Sequence, residues 1–543
     1  MATSILSIGQ SALAAAQVGI NTTGHNIANA ATPGYNRQVI VQGAALAQNF
    51  GFGFVGQGVD VSTIKRVYNE FLGNQMQSAQ TTKSGLDSYY TQISQINNLL
   101  ADPTTGLSPA LQEFFTGLQD VATNPTSIPA RQTALSSAES LASRFQSMDG
   151  RLDDIGRSLN GQIQSSVADI NAYGAQIAQL NDVIGKAQRA SGQPPNDLLD
   201  QRDQLLMDLN KQIKVTVVAQ GSDYNVFIGN GQPLVVGVST YTLTSVASPT
   251  NPEKIEVAYR ASNGSLVSLA ESALSGGALG GLFDFRRQSL EPAQNALGRV
   301  AIGLASTFNT QHQAGFDLGG VAGGNFFTAA VPVVGANGNN TGSAMLAASI
   351  SNANALTTSD YQLQYDGTNY TVTRLSDNTP TTFATFPQTI DGVTLNLTAG
   401  AAAGDSFLIR PTVAGASGFN VSITDPAKIA AASQTGAVGD NRNALLLGAL
   451  QTANTLGNGT VSYQGAYSQF VSQIGNKTRE LEVTRSAAGS LLAEATNALQ
   501  NESGVNLDEE AANLLRYQQA YQAAGKVMQI ASQLFDVLLS IGR

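Results

Sequence analysis

Cysteine and tryptophan are missing from this 543-residue chain, and only two histidines occur, His25 and His312. Without cysteine there is no disulfide and no thiol nucleophile, and two histidines cannot build a zinc centre of the ordinary ligand set, so no metal and no cofactor is expected. The lack of thiols suits work outside the cell, where a free thiol is a liability. Charge is scarce too: Asp, Glu, Lys and Arg make up 12% of the chain, about half the usual share. The balance is −10, and no basic stripe is available to neutralise phosphates, which excludes a nucleic-acid partner. No apolar run approaches the roughly eighteen residues that a membrane span needs. The first residues lack the basic region and the continuous apolar stretch of a Sec-type signal, so export would need another route.

What the chain does have is apolar residues on seven-residue grids. Hydrophobic residues are 42% of the total, enough to bury real cores in roughly three or four domains. Near the C-terminus Leu507, Leu514, Tyr521, Met528 and Phe535 recur at steps of seven, and Tyr517, Ala524, Ala531 and Leu538 fall three residues after four of them. This is the pattern of a coiled-coil seam. Asn506 with Glu509 resembles a capping box, and Asp508, Glu509 and Glu510 sit where the helix dipole favours negative charge. The pattern predicts a helix from about 507 to about 540, about 50 Å long. At the other end Leu6, Leu13, Ile20 and Ile27 form a second grid, with Ala2, Gly9, Ala16, Thr23 and Ala30 as small partner positions. A line of small residues suits close packing against a bulkier seam, so the two ends are expected to pair as one rod from which residues 40–500 hang.

The first helix is expected to end between His25 and Ala31, at the run Asn26, Ile27, Ala28, Asn29, followed by Thr32, Pro33, Gly34 and Tyr35. This run resembles the signature of flagellar axial proteins, the family of rod, hook and hook-associated proteins. Ala31 departs from it, since the family commonly has Asn there; a side-chain cap at the helix exit is then absent. The segments Leu198–Leu209 and 281–320 resemble the hook-associated members.

Between the ends, residues 65–213 read as helical. Asp102-Pro103 through Pro109 marks a break, and Ile163, Ile170, Ile177 and Ile184 mark a long helix from about 150 to 190. Asp200, Arg202 and Asp203 in Leu198–Leu209 read as a surface ion-pair network rather than a carboxylate site. Gly51, Gly53 and Gly56 have dinucleotide-fingerprint spacing, but strand-like sequence follows where a helix is needed, so a hairpin tip is expected. Residues 214–275 switch to strand patterning, Gly276–Gly281 reads as a hinge-like loop, and helix resumes with Leu290, Leu297, Leu304 and Phe308 on one face. His312, Ser306 and Asp317 lack any nucleophile-elbow context and carry no triad. Residues 319–425 form a second β-rich insert, joined near Gly323 and Gly418 and containing a hairpin over Gln362–Leu375; helices return at Gly439–Leu450 and Tyr463–Leu499.

The expected fold is α+β and multidomain: heptad-repeat terminal helices and a long helical layer, with two β-rich inserted domains. The expected division is 1–60 with 505–543 as a terminal coiled-coil axial domain, 61–213 with 276–318 and 426–504 as a helical domain, 214–275 as a β-rich domain, and 319–425 as a β-rich outer domain. The expected interface residues are Leu6, Leu13, Ile20, Ile27, Leu507, Leu514, Tyr517, Tyr521, Met528, Phe535 and Leu538. The family resemblance implies a structural, non-enzymatic component of the bacterial flagellum at the hook–filament junction. It implies self-association in the axial structure, contact with hook protein and with the next hook-associated protein, type III export to the cell exterior, and a cytoplasmic export chaperone on the C-terminal helix. A hook or rod protein would share the first forty residues but not the helical layer. A secreted enzyme is disfavoured by the missing Cys, His clusters and nucleophile motifs.

Overall fold

A computed structural model describes residues 2–49, 51–101, 106–261 and 264–541. Among the described residues ten α-helices set the architecture: α1 (Ala2–Asn29), α2 (Glu70–Ala101), α3 (Leu107–Thr123), α4 (Ile128–Ser191), α5 (Asn196–Gln212), α6 (Gly277–Phe285), α7 (Glu291–Gln313), α8 (Arg442–Ala449), α9 (Tyr463–Ser503) and α10 (Leu507–Ile541). The first and last pair with each other, while α2 runs beside α9 and the rest form a layer around α4. The proline-marked break at Asp102-Pro103 lies outside the described residues.

The spine is α4, 64 residues in one helix and so about 96 Å long. Ser127 caps its start by accepting from the Ala130 amide, Pro129 sits in the first turn, and Gly192 ends it at φ 69°, a left-handed exit that costs glycine least. The helix expected from about 150 starts 22 residues earlier, and its buried face continues upstream through Leu141, Phe145, Met148, Leu152, Ile155 and Leu159. Ile163, Ile170, Ile177 and Ile184 are fully buried.

Three sequence-based expectations need correction. Residues 214–275 do form strands: a four-stranded sheet (Val215–Gln220, Asp223–Ile228, Gln232–Val236, Ser239–Thr240) and a three-stranded one centred on Ile255–Arg260. They have no core of their own, however, since Val226, Ile228, Leu234, Val235, Leu243 and Val257 close over Ile163, Ile170 and Ile177 in the core of the helical layer. The second is the glycine-rich segment at 276–281, which is no hinge but the start of α6. An added Cβ at Gly281 would lie 2.1 Å from the Gly85 carbonyl oxygen, so these glycines let α2 and α6 pack backbone to backbone. Finally, the joints of the outer insert belong to the helical body. Phe326, Phe327 and Phe419 stack among Phe114, Phe145 and Phe308 with ring centroids 4.5 to 6.1 Å apart.

The outer β-rich unit has a separate core built on Leu363, Val372, Val393, Leu395, Phe407 and Ile409. Its five-stranded sheet runs Val333–Ala336, Ser406–Arg410, Tyr361–Tyr365, Tyr370–Arg374, Thr379–Phe383, and a three-stranded sheet centred on Val393–Leu397 packs over it. Asp366-Gly367 makes the turn of the hairpin, Gly367 with φ 100°. The chain enters and leaves through neighbouring strands, Val333 opposite Arg410.

His312 belongs to this framework. It is fully buried at the end of α7, its Nδ1–H donates to the Gly324 carbonyl at 2.8 Å, and its Nε2 accepts from the Ala430 amide at 2.9 Å. Burial lowers its pKa, which keeps the ring neutral and in this tautomer. Both nitrogens are committed to backbone, and neither faces Ser306.

Candidate functional site

The terminal helices are antiparallel. Gly9 faces Met528, Gly19 faces Tyr517, and Asn26 bonds to Glu510. The seam on α1 is its line of small residues: Gly9, Ala15, Ala16, Gly19, Thr22, Thr23 and Asn26 are buried. An added Cβ would lie 3.0 Å from Met528 Cγ at Gly9 and 2.6 Å from the Tyr517 ring at Gly19, so the helices approach only because side chains are missing there. On α10 the seam is Glu510, Ala524 and Ala531, buried, with Tyr517, Leu514 and Met528 partly buried beside them.

Other members of the bulky lines are less covered. Leu6 is 42% exposed, and Leu13, Ile20 and Ile27 are only partly buried along the flanks of the seam. Leu507, Tyr521 and Phe535 are exposed, and the side chain of Leu538, like that of Ala2, lies outside the described residues. Leu515, Ile530, Leu534, Val537 and Leu539 add to an apolar outer face on α10. Within one subunit the small stripe of α1 meets Tyr517 and Met528 from the bulky lines of α10, while Leu6, Leu507, Tyr521 and Phe535 are left exposed.

The turn after α1 is held by Asn26, 1% exposed. Its Nδ2 donates to the Gln38 carbonyl at 2.8 Å and to Glu510 Oε2 at 3.1 Å. Its Oδ1 accepts from the Tyr35 hydroxyl at 2.7 Å and the Gln38 amide at 2.9 Å. All four hydrogen-bonding positions of one buried amide are used, which locks the turn to both helices. Burial, then Asp197, Asp200 and Glu510, push the Tyr35 phenol upward, so it stays a donor. Asn29 Nδ2 donates to the His25 carbonyl at 3.0 Å, and Thr32 Oγ1 donates to Asn29 Oδ1 at 3.2 Å. Gly34 has φ 78°, and a Cβ there would meet Gln204 Oε1 at 2.7 Å. Ile27 and Ala28 point toward the flank and solvent, and Ala31, Thr32 and Pro33 are exposed.

Several residues that secure this region carry no local sequence signal. Arg37 is the first lysine or arginine in the chain; its Nε donates to Glu510 Oε1 at 2.8 Å and its Nη1 to Glu509 Oε2 at 2.9 Å. Its amide donates to the Ser503 carbonyl at 2.8 Å and its carbonyl accepts from Val67 N at 2.7 Å, tying the end of α9 and the hairpin exit to one residue. Asn506 caps α10 by accepting from the Asp508 amide at 3.0 Å, while Glu509, expected to complete a capping box, reaches Arg37 instead.

The α5 carboxylates clamp the same turn from the other side. Asp200 accepts from Asn36 N at 3.0 Å, from Asn36 Nδ2 at 2.6 Å and from Arg66 Nη1 at 2.9 Å, and Arg66 also reaches Asp203 at 2.6 Å. Burial opposes the charge on Arg66, but Asp203 and Asp200 more than offset it and raise its pKa. Asp197 accepts from Gln38 Nε2 at 2.7 Å and bonds His25 Nε2 at 3.2 Å. The expected surface network is therefore a buried one: Asp200 is 4% and Arg202 2% exposed. Arg202 turns away to Asn181 and the Ser222 carbonyl, over the Tyr224 ring at 3.5 Å. Asp200 and Asp203 are 134 and 137 residues from Arg66, a separation that no local pattern reveals.

This arrangement ties a helix pair to the body and leaves a series of large apolar side chains of α10 exposed. Among the described residues no group of three or more metal-ligating side chains is found and no helix is long and apolar enough to cross a membrane.

Comparison with known proteins agrees with the geometry. Residues 93–327 match the flagellar hook-associated protein FlgK helical domain, and 335–411 match the flagellar hook-associated protein 1 D2-like domain. Residues 6–36 match the flagella basal body rod protein family, and 497–541 the flagellar basal body rod FlgEFG protein C-terminal family, so the two matched ends are the two paired helices. The chain is 39% identical to flagellar hook-associated protein 1 of Escherichia coli (strain K12) over 99% of this chain and 100% of that one. It is 40% identical to flagellar hook-associated protein 1 of Salmonella typhimurium, again over 99% and 100%. The solved structure of the flagellar hook junction protein FlgK from Burkholderia pseudomallei superposes with a TM-score of 0.74 at 32% identity, covering 79% of this chain and 99% of that one. With full-length identity at this level and both terminal helices accounted for, the chain belongs to the flagellar hook-associated protein 1 family.

Proposed function

We propose that the chain is a non-enzymatic axial subunit that joins the flagellar hook to the filament. In this reading hook protein lies on one side, the next hook-associated junction protein on the other, and further copies of the chain around the axis. The observation that carries it is the terminal pair: α1 presents its small residues to α10, and α10 keeps Leu515, Ile530, Leu534, Phe535, Val537 and Leu539 facing outward. So many large apolar side chains exposed on one helix make a contact surface, not a monomer surface. We assign residues 1–60 with 505–543 to the axis, and the helical body and outer β unit to its outside.

Before assembly the same stripe needs cover. An amphipathic helix with anchors spaced by three, four and seven is the usual ligand of a helical groove, so a small helical export chaperone in the cytoplasm binds α10, and the chain then leaves by the flagellar type III route to work outside the cell. Deleting residues 505–543 abolishes capture by that chaperone in a pull-down and deleting 1–30 does not; undiminished capture of the first truncation moves the site elsewhere.

The main test is electron microscopy of flagella from a strain lacking the gene. Hooks without filaments are the expected result, and filaments of normal number and length overturn the reading.

A further inference from the structure

We propose that the hairpin tip of one copy docks into a cleft beside the Thr32–Tyr35 turn of the next copy. The proposal rests on the reading of the chain as a repeated axial subunit. It names the two surfaces that meet.

The knob is the end of the hairpin that leaves the turn. Strands Gln38–Ala44 and Val59–Arg66 pair antiparallel and run back along α1, Gln38 at Asn26 and Gly58 against Ile8 and Ser11, where a Cβ would come within 2.2 Å of Ser11 Oγ. At the end of this hairpin, farthest from the turn, lies the inner hairpin Gln48–Asn49 with Phe54–Val55. Leu46 is 94% and Phe54 75% exposed. Residues 38–59 carry no charged side chain, so in an acidic protein this is a segment that another copy does not repel.

The recess is a cleft of about 670 Å³ at the far end of α1, with Pro33, Tyr35, Leu180, Val183, Leu198 and Leu205 on its walls. Val183 stands 38% exposed at its mouth. Gln176, Gln179, Gln201 and Gln204 also line it and can meet the amides of Gln48 and Asn49 at the tip, while its carboxylates, Asp197 and Asp200, are already bonded to His25, Gln38, Asn36 and Arg66.

Knob and recess lie at opposite ends of α1, roughly 30 Å apart at 1.5 Å per residue, and the hairpin is anchored at Gly58, so no tip reaches its own cleft. Two complementary surfaces that differ in position make a heterologous contact, which propagates from copy to copy around or along an axis. The tip also continues an interface already described. Leu6 and the exposed residues of α10 from Ile530 onward lie at the same end of the helix pair, so the neighbour that covers them is the one the tip meets.

The chain's lack of cysteine permits a direct test. Phe54→Cys and Val183→Cys are introduced singly and together, flagella are isolated, and a short bis-maleimide is added. Both positions are exposed, so folding is retained, which melting of the purified variants checks. The double variant yields a ladder of dimers, trimers and higher species that each single variant lacks. Chain present in the flagella but only monomeric after linking overturns the docking and leaves the axial reading intact. Dimers from Phe54→Cys alone show tip meeting tip, and linkage to a protein of another mass shows a different partner; both overturn it. Chain absent from isolated flagella overturns the axial reading and the docking with it.

Discussion

Gly19 and Tyr517 touch across the seam of the terminal helices, so closely that a Cβ on the glycine would lie 2.6 Å from the ring. A larger residue here cannot be absorbed without moving α10. Gly19→Val is expected to weaken the pair by about 1 to 3 kcal/mol, the usual cost of overpacking, and to leave the body untouched. Filament number falls in the variant strain, whereas the melting of the purified body is unchanged. Tyr517→Ala in the same chain restores part of the loss, because the two substitutions share one space. Full additivity of the two would show that the helices do not meet there.

Glu510 is 2% exposed and answers both Arg37 and Asn26. Glu510→Ala leaves a guanidinium and a buried amide short of a partner, at a cost of about 2 to 4 kcal/mol. Glu509→Ala removes only an exposed arm of the same network and costs under about 1 kcal/mol. Hydrogen exchange in α10 reads the difference: protection drops sharply in the first and barely in the second. Equal protection in both would place the anchor elsewhere.

Asp149, on α4, is buried with Asp153 one turn away, near Ser417 and Arg410, and its pKa is raised to about 6 by burial first and by Asp153 second. A carboxyl with a raised folded pKa binds more protons folded than unfolded between about pH 4 and 6, so it removes stability as pH rises through that window. Asp149→Asn keeps the shape without the charge. Melting at pH 7.5 is expected to rise, by about 1 to 2 kcal/mol once solvent screening is allowed for, with no gain at pH 4. A gain at pH 4 as large as at pH 7.5 would rule out this cause.

The outer β unit can be removed between residues 332 and 411, where Val333 and Arg410 are paired neighbours. A short Gly/Ser linker closes the gap, and the body loses cover over Ile302 and the bonds from Asn295 to Asp360 and Thr358. That costs about 2 to 4 kcal/mol, and filaments still form. A wider cut over 325–417 also removes Phe326 and Phe327 from the body core and is expected to give no folded protein. Loss of filaments with a folded short variant would show that the outer unit makes essential axial contacts.

What could be read from the sequence follows the range of each interaction. The buried isoleucines from Ile163 to Ile184 and the limits of α10 were legible, because seven-residue spacing and an N-terminal cap are local. The Asp366-Gly367 hairpin was legible for the same reason. The small line of α1 against a bulkier seam was legible too, and Gly9 and Gly19 do admit Met528 and Tyr517, but periodicity does not say which large residues stay uncovered. Nor does it show that a strand-patterned segment lacks its own core, since Val226 and Leu234 look alike whether they meet each other or Ile170. The clamp from Asp200 and Asp203 to Arg66 and Asn36 joins segments that only the folded chain brings together.

The hydrogen bond from the Arg37 amide to the Ser503 carbonyl also governs how the ends find each other. Once the body is folded, α1 and α10 hang from adjacent points, and their meeting is a unimolecular event. A short tether of this kind gives an effective concentration in the millimolar range, which a free α10 from another copy must exceed before helices are exchanged between subunits. In the assembly proposed above each α1 therefore keeps its own α10, and domain swapping is held off by connectivity rather than by sequence.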